Sequence, residues 1–217
     1  MSKRGEDMSM ESEKLTIFDE HRTPIGEATR EDVHKLGYWH EVFQCWFVSE
    51  EEGEPYIYLQ KRSWRKKDYP NLFDITAAGH LLAGETVSDG VREIKEEIGI
   101  DVQIESLIPL GVIATTATKG TFIDKEIANV FLYKSPFSLD DFSLQAEEVS
   151  GMVKVEFSQF YALWLGELAE VHVEGFEIDE AGMKHSISRS VSKKGFVSND
   201  SAYFTPVLNG IRRYIGV

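Results

Sequence analysis

Three glutamates in the middle of the chain have the spacing of a metal-binding helix face. Glu93, Glu96 and Glu97 stand at positions i, i+3 and i+4, so a helix would place their carboxylates on one side. Like charges at i and i+4 destabilise an isolated helix by about 0.2–0.5 kcal/mol. A divalent cation such as Mg²⁺ would relieve that repulsion, whereas a solvated acidic face would tolerate it. The helix alone leaves both interpretations open.

The same helix is predicted to have an apolar face that fixes its position. Thr86 is expected to cap its N-terminus, with Asp89 completing an approximate capping box, and Gly99 is expected to end it. Four aliphatic residues follow 4-3-4 spacing and would dock on a core: Val87, Val91, Ile94 and Ile98.

A basic loop, residues 61–67 with the sequence KRSWRKK, precedes the acidic helix. It is the most basic stretch of an acidic chain, and in isolation a solvated loop would explain it. Its position before the glutamates favours a second interpretation, in which its cations meet phosphate oxygens beyond a metal. Trp64 and Tyr69 could stack on a base there, although surface aromatics are weak evidence.

Two further acids follow the helix in a predicted strand. Asp124 and Glu126 share one side of strand 121–133 because side chains alternate with period two. Strand pairing could carry that side to the acidic helix, although acids in strands more often face solvent. Cys45 lies inside the apolar strand 40–49 and is expected to be a buried structural residue.

Length and composition limit the classes of protein to consider. With 217 residues, 42% of them hydrophobic, the chain is long enough for one packed domain with appendages. Its net charge of −14 argues against general binding to nucleic acid or a membrane surface, because those polyanions would repel it. One cysteine fits a reducing compartment. The sequence shows neither a signal peptide nor an apolar run of about 18 residues, so we expect a soluble cytoplasmic protein.

Periodicity predicts strands before and after the acidic helix, and therefore a mixed sheet flanked by helices. The predicted strands cover residues 14–19, 25–28, 40–49, 55–62, 74–78, 102–114, 121–133 and 152–157. Helices are predicted at 30–36, 158–169 and 201–214, whereas 170–199 show little periodicity.

The sequence REIKEEIGI at 92–100, preceded by Gly79-x5-Glu85, resembles the second half and the start of the Nudix signature, GX5EX7REUXEEXGU with U aliphatic. One position departs from that pattern: six residues separate Glu85 from Arg92, where the family has seven. The departure puts the position of Glu85 in question, while the helix register from Arg92 onward is intact.

The resemblance implies a Nudix-type α/β/α sandwich with a mixed β-sheet and a C-terminal helical extension. The division expected from it is a disordered N-terminus at 1–13, a Nudix domain at 14–160 and an extension packed on that domain at 161–217. The extension could serve as a substrate lid, a dimer contact or a specificity element, so a homodimer is among the possible states.

The resemblance also assigns roles. Mg²⁺, or Mn²⁺ in its place, would be held by the three glutamates and the carbonyl oxygen of Gly79, while Arg92 would orient the glutamates. Arg62 and Lys66 would clamp phosphate. For the general base, the resemblance offers a glutamate of the signature or an acid elsewhere. Glu126 is the first external candidate and a further metal ligand, Asp124 stands beside it, and Glu147 and Glu148 are held in reserve.

A wider resemblance rests on IYLQKRS at 57–63 with Lys66, FDITAAGH at 73–80, DKEI at 124–127 and the spacing His40-x-x-Phe43-x-x-Trp46. It covers roughly residues 15–160 and is to the Nudix subgroup related to isopentenyl-diphosphate isomerase. His40 and His80 match metal-binding positions of those isomerases, and His80 could equally contact substrate. The isomerases carry a catalytic cysteine immediately before their Gly-His pair, but here that position is Ala78, which cannot move a proton. The expected activity is therefore Mg²⁺-dependent hydrolysis of a nucleoside diphosphate derivative or a related organic diphosphate. A nucleotide-binding sensor without turnover is the alternative, and isomerisation is disfavoured.

Overall fold

The computed structural model describes residues 11–197 and 201–216, which contain eleven strands and four α-helices. The strands are β1 (Lys14–Phe18), β2 (Pro24–Thr29), β3 (Trp39–Glu51), β4 (Glu54–Arg62), β5 (Phe73–Asp74), β6 (Ala77–His80), β7 (Ile108–Lys119), β8 (Phe122–Lys134), β9 (Val149–Glu156), β10 (Glu170–Ile178) and β11 (Lys184–Ser192). The helices are α1 (Arg30–Leu36), α2 (Arg92–Ile98), α3 (Phe157–Leu165) and α4 (Ser201–Ile215). The disorder expected for 1–13 falls mostly on residues outside the described ranges.

The strands join one mixed sheet, as the sequence predicted. Its main path is β11-β10-β9-β4-β3-β1-β2, with β5 paired to β4, β6 paired to β3, and β7 paired to β8. Strand β8 lies parallel to β3, and the other pairings are antiparallel. Within the described residues, no helix has the length and apolar character needed to cross a membrane.

Strand β3 separates two hydrophobic cores. Its even-numbered residues Val42, Trp46 and Val48 belong to the core that α3 and α4 cover. Its odd-numbered residues Phe43, Cys45 and Phe47 belong to the core that α2 covers. This period-two alternation gives the sheet a helical layer on each side and confirms the α/β/α architecture.

Helix α1 has the bounds that the sequence predicted. The Thr29 side chain accepts a hydrogen bond from the Asp32 backbone N–H at 3.3 Å, which caps the first turn. Gly37 ends the helix in the left-handed conformation with φ of 71°, a geometry that glycine adopts at low cost. The helix places His34 on its buried side, facing the sheet.

Helix α2 is shorter than predicted and is not capped by Thr86. The Asp89 carboxylate accepts from the Thr86 N–H and hydroxyl at 2.8 and 2.7 Å, so this pair closes a turn ahead of the helix. A 3₁₀ turn over Asp89–Val91 follows, and the α-helix begins at Arg92. At Gly90 a Cβ would lie 2.6 Å from the Phe43 Cβ, so only glycine lets the chain pass here. Gly99 ends the helix as predicted.

The weakly periodic segment 170–199, for which the sequence predicted no helix or strand, contains the β-hairpin of β10 and β11. Strand β10 buries Val171 and Val173 in the core under α3 and α4, but Phe176 and Ile178 in the core under α2. Its apolar residues therefore change from odd to even numbers half-way, which disguises the period-two pattern. Gly175 allows the close approach to β9, because a Cβ there would lie 2.1 Å from the Met152 carbonyl oxygen.

Three other boundaries differ from the predictions. The strand expected at 74–78 is two short strands, β5 and β6, which pair with different neighbours. Thr76 occupies the corner between them, where its hydroxyl donates to the Tyr58 carbonyl and accepts from the Phe47 N–H. Strand β7 begins at Ile108 rather than 102, and α3 ends at Leu165, where Gly166 has φ of 82°.

Candidate active site

Helix α2 presents its glutamates at graded depths. Ile94 and Ile98 are fully buried and fix the rotation of the helix against the sheet. Glu97 is 6% exposed, the Glu93 side chain is 13% exposed, and the Glu96 side chain is 53% exposed. The predicted acidic face therefore lies at the rim of the core, with two of its three carboxylates largely withdrawn from water.

Arg92 joins the glutamates into one network. Its guanidinium donates to both Glu85 oxygens at 2.8 and 3.0 Å, to Glu93 at 2.6 Å and to Glu96 at 2.9 Å. A fifth contact reaches the His80 carbonyl at 3.2 Å. These bonds raise the pKa of Arg92, with the Glu85 interaction as the largest cause. The six-residue spacing thus leaves Glu85 in bidentate contact with Arg92.

Burial raises the pKa values of the two inner glutamates, Glu93 and Glu97. Loss of solvation raises the pKa of Glu93 to about 7, although Arg92 pulls it down. The pKa of Glu97 is raised well above its ordinary value, first by burial and then by the charge of Glu93. Glu97 is nevertheless held in place, since its Oε2 accepts from the Ala78 N–H at 2.9 Å and from Gln60 Nε2 at 3.1 Å. Among the described residues, the cation paired with Glu93 is Arg92, which Glu85 and Glu96 share, and Glu97 has no ion-pair partner.

Gly79 forms the floor beneath Glu93. A Cβ at residue 79 would lie 2.1–2.4 Å from the three carboxyl atoms of Glu93, closer than any real contact. Strand β6 therefore approaches α2 so closely that the space a side chain would fill is taken by the carboxylate. This overlap is a steric reason why the motif begins with glycine at this position.

A second cluster lies where α1, β3, β6 and β8 meet. The rings of His34, His40 and His80 have centroids 5.0–5.3 Å apart. Asp124 Oδ1 lies 3.6 Å from Nε2 of both His34 and His40. Ligand atoms of the three histidines lie within 4.8 Å of one another, and the same holds for His40, Asp124 and Glu126. The prediction that Asp124 and Glu126 share one side of their strand is confirmed.

Several polar atoms of this cluster are buried without a hydrogen-bond partner among the described residues: His40 Nε2, His80 Nε2 and Asp124 Oδ1. Burial lowers the pKa of His40 to about 3 and that of His80 well below its ordinary value. It also raises the pKa of Asp124 to about 6. The imidazoles of His40 and His80 are therefore neutral at pH 7, and Nε2 of His40 lies 3.6 Å from Asp124 Oδ1. Nitrogen and oxygen donors of this kind fit a divalent cation.

The cations of the basic loop are already paired with acids. Arg62 donates to Asp74 at 2.9 Å and to the Asp68 carbonyl, and Lys66 forms an ion pair with Glu148. Further along the loop, Arg65 contacts Glu147 at 2.6 Å and Lys67 contacts Glu11 at 3.0 Å. A phosphate that binds Arg62 or Lys66 would therefore have to displace the carboxylate paired with it, Asp74 or Glu148.

One cleft of about 1720 Å³ brings these groups together. The residues of the predicted site that line it are Arg62, Lys66, Gly79, His80, Arg92, Glu93, Glu96, Glu97 and Glu126. Asp124, Glu147, Glu148, Trp64 and Tyr69 line it as well. The structure thus places the predicted residues on one cleft surface, although they are distributed along the sequence between β4 and the start of β9.

Sequence analysis did not single out His34 or the two glutamines that hold acids, Gln44 and Gln60. His34 stands six residues before His40, at the end of a short helix that leads into β3. That spacing, and the position of His34 on the apolar side of the predicted helix, were the sequence features that could have indicated it. For Gln44 and Gln60 there was none, because a glutamine inside an apolar strand does not reveal its partner.

The position of the isomerases' cysteine is occupied by Ala78, which lines the cleft and donates its N–H to Glu97. Cys45 is fully buried in the core that α2 covers, and burial raises the pKa of its thiol. No thiol therefore faces the cleft in the described part of the chain. The expectation of a buried cysteine is confirmed.

Comparison with known proteins identifies the family to which this fold and this cleft belong. Residues 39–173 match the NUDIX domain. An uncharacterized Nudix hydrolase of Clostridium acetobutylicum is 37% identical over 93% of this chain and 98% of its own length. The chain belongs to the Nudix family of hydrolases.

Other relatives agree with the subgroup inferred from the sequence. The isopentenyl-diphosphate Delta-isomerase of Corynebacterium diphtheriae is 32% identical over 68% of this chain and 80% of its own. Among solved structures, the DR0079 protein of Deinococcus radiodurans is 21% identical with a TM-score of 0.53, over 71% of this chain and 90% of that one. That likeness supports the fold.

Proposed function

We propose that this chain hydrolyses the diphosphate bond of a nucleoside diphosphate derivative or a related organic diphosphate, with Mg²⁺ as cofactor. The observation that carries the proposal is the pair of buried carboxylates Glu93 and Glu97 beside Gly79, whose neighbouring cation Arg92 is shared with Glu85 and Glu96. Nudix hydrolases act on nucleoside diphosphate derivatives as a family. Keeping two acids ionised in this position requires a cation, and hard cations prefer such oxygens.

The residues present fit two metal-binding centres. The first would use Glu93, Glu96, Glu97 and the Gly79 carbonyl. The second would use His34, His40, His80, Asp124 and Glu126, several of whose ligand atoms are orphaned. Mg²⁺, or Mn²⁺ in its place, would supply positive charge that offsets the diphosphate oxygens and acidifies the attacking water.

The protein groups supply orientation and proton transfer. Arg92 holds Glu93 and Glu96 in one geometry rather than contacting substrate. Arg62 and Lys66 bind phosphate oxygens after releasing Asp74 and Glu148, which fixes the substrate for in-line attack. For the general base, Glu126 is the first candidate outside α2 and Glu148 the second, because both line the cleft.

The decisive experiment is a substrate panel with the full chain and Mg²⁺. NDP-sugars, dinucleoside polyphosphates, NTPs, CoA, NADH and prenyl diphosphates are incubated, and released phosphate or monophosphate is measured. We expect turnover of at least one compound. Glu97→Gln should lower it more than about a hundredfold while thermal unfolding stays cooperative. Glu105→Gln, which removes an exposed carboxylate outside the cleft, is the matched control.

Two results would contradict the proposal. An inert wild-type protein that still binds a nucleotide of the panel would favour a sensor without turnover. Conversion of isopentenyl diphosphate to its isomer would show that carbon-skeleton chemistry proceeds without a thiol at Ala78. Full activity of Glu97→Gln would refute the metal assignment alone.

We propose a small-molecule substrate rather than nucleic acid or a membrane as partner, because the net charge of −14 opposes both polyanions. The single cysteine supports a cytoplasmic location. The division into a Nudix domain at 14–160 and an extension at 161–217 also stays a proposal, and the extension contributes β10, β11 and α4 to the same sheet and core.

A further inference from the structure

A buried chain of hydrogen bonds connects helix α4 to the second cluster. The Tyr203 hydroxyl lies 2.5 Å from Gln44 Oε1, and Trp46 Nε1 lies 3.2 Å from the same hydroxyl. Gln44 Nε2 lies 3.4 Å from Glu126 Oε2. Tyr203 and Trp46 are buried completely or nearly so, and Gln44 is 5% exposed. Water therefore does not compete for the two bonds of the Tyr203 hydroxyl, whereas Gln44 and Glu126 also line the cleft.

The donors and acceptors give this series of hydrogen bonds a direction. An indole N–H can only donate, so the Tyr203 oxygen accepts from Trp46 and its own proton points to Gln44. The Gln44 oxygen accepts that proton, which leaves the amide NH₂ facing Glu126. A flipped amide would place its oxygen against a carboxylate oxygen and its NH₂ against the Tyr203 proton, so both ends would repel.

We propose that Tyr203 is a positioning residue for the second metal centre. Through the Gln44 amide it holds the Glu126 carboxylate on the side of His40 and Asp124, ready to ligate. The inference rests on the proposed function, specifically on a cation at that cluster. It assigns a role to α4, which lies beyond residues 39–173 matched by the NUDIX domain.

The test is Mn²⁺ binding to the metal-free full chain, followed by the electron paramagnetic resonance signal of free Mn²⁺. His40→Ala defines the share of binding that belongs to the second centre. Tyr203→Phe keeps the ring and removes the hydroxyl, and we expect affinity at this centre to fall about tenfold or more, as for other groups that orient ligands. Tyr161→Phe is the matched control, since its hydroxyl contacts Asn209 of α4, away from the cluster.

A double-mutant cycle separates orientation from general packing. Gln44→Met should weaken Mn²⁺ binding as Tyr203→Phe does, and the double variant should lose no more than either single variant. Losses that add would show that the hydroxyl acts on the fold independently of Gln44, and would overturn the proposal. If Tyr203→Phe does not fold, Gln44→Met decides, and wild-type affinity in that variant overturns the proposal.

Failure of this inference is distinguishable from failure of the proposed function. If His40→Ala removes no Mn²⁺ site, the second centre does not exist and the role of Tyr203 is refuted with it. If His40→Ala removes a site but Tyr203→Phe binds Mn²⁺ like the wild type, only the role of Tyr203 is refuted. A thermal unfolding scan of each variant confirms that folded protein was measured.

Discussion

At the scale of residues, the site holds acids where water is scarce. An ionised carboxylate loses hydration when buried, and in the described part of the chain Glu97 accepts from two neutral donors, the Ala78 N–H and Gln60. Glu93 has one cation, Arg92, which it shares with Glu85 and Glu96. The metal-free protein therefore carries a destabilising cluster, which a bound cation would convert into a stabilising one.

The acidity of Glu93 predicts a pH-dependent stability. Its pKa is about 7 in the folded chain, against 4.5 for an ordinary glutamate. Between about pH 4.5 and 7 the folded state holds more protons at this group than the unfolded state, so the free energy of unfolding falls as pH rises through that window. Over this window we expect the metal-free protein to lose about 3 kcal/mol from this group, or about 6–12 °C in Tm.

Calorimetry of the metal-free wild type and of Glu93→Gln at several pH values measures this effect. The variant should show a flatter Tm profile over the window, because its side chain does not titrate. Comparison of the two chains cancels the contributions of the histidines. Identical slopes would mean that Glu93 is ionised throughout, contrary to its burial. Added Mg²⁺ should flatten the wild-type profile.

At the scale of elements, the distance between β6 and α2 sets the geometry of the site. Gly79 lets the strand approach until the Glu93 carboxylate fills the space of a side chain. Gly90, just before α2, permits a similarly close approach to the side chains of Phe43 and Leu81. Function thus depends on a backbone separation that side-chain types alone do not reveal.

Gly79→Ala should therefore displace Glu93. The new methyl group overlaps the carboxylate, and we expect a loss of about 1–3 kcal/mol in stability together with most of the hydrolytic activity. Chemical denaturation and turnover of the best panel substrate measure the two effects. In a Glu93→Ala background the stability cost should largely vanish. An equal cost in both backgrounds would place the clash elsewhere.

Elements were predictable from the sequence where one face is buried and one is not. The registers of α2 and β8 follow from such patterns, so the sequence predicted which acids share a face: Glu93, Glu96 and Glu97 on α2, and Asp124 and Glu126 on β8. Strand β10 was missed because it crosses from one core to the other. His34 was missed because its role depends on tertiary contacts with β6 and β8, which no local pattern encodes.

At the scale of the whole molecule, α4 completes one of the two cores. Five of its side chains are almost entirely buried: Tyr203, Phe204, Val207, Leu208 and Ile211. Burying such a side chain contributes about 1.5–3 kcal/mol, so the set approaches the total stability of about 5–15 kcal/mol of an ordinary domain. The extension is part of the folding unit by this argument.

A chain that ends at residue 197 should consequently fail to fold. We expect it to lack a cooperative thermal transition and to aggregate. Leu208→Ala in the full chain should cost about 2–5 kcal/mol, whereas Thr205→Ala on the exposed side of α4 should cost less than about 0.5 kcal/mol. A truncated protein with the Tm of the full chain would show that the extension is an independent addition.

The Lys66–Glu148 pair gives the cleft an internal competitor for its substrate. If phosphate binds Lys66 as proposed, it would displace Glu148, so its binding would be an exchange of one anion for another. The released carboxylate faces Glu93 and Glu97, whose pKa values its charge already raises. The affinity of Glu93 and Glu97 for a cation should then increase. Phosphate and metal would thus bind cooperatively, each strengthening the affinity for the other by the same factor.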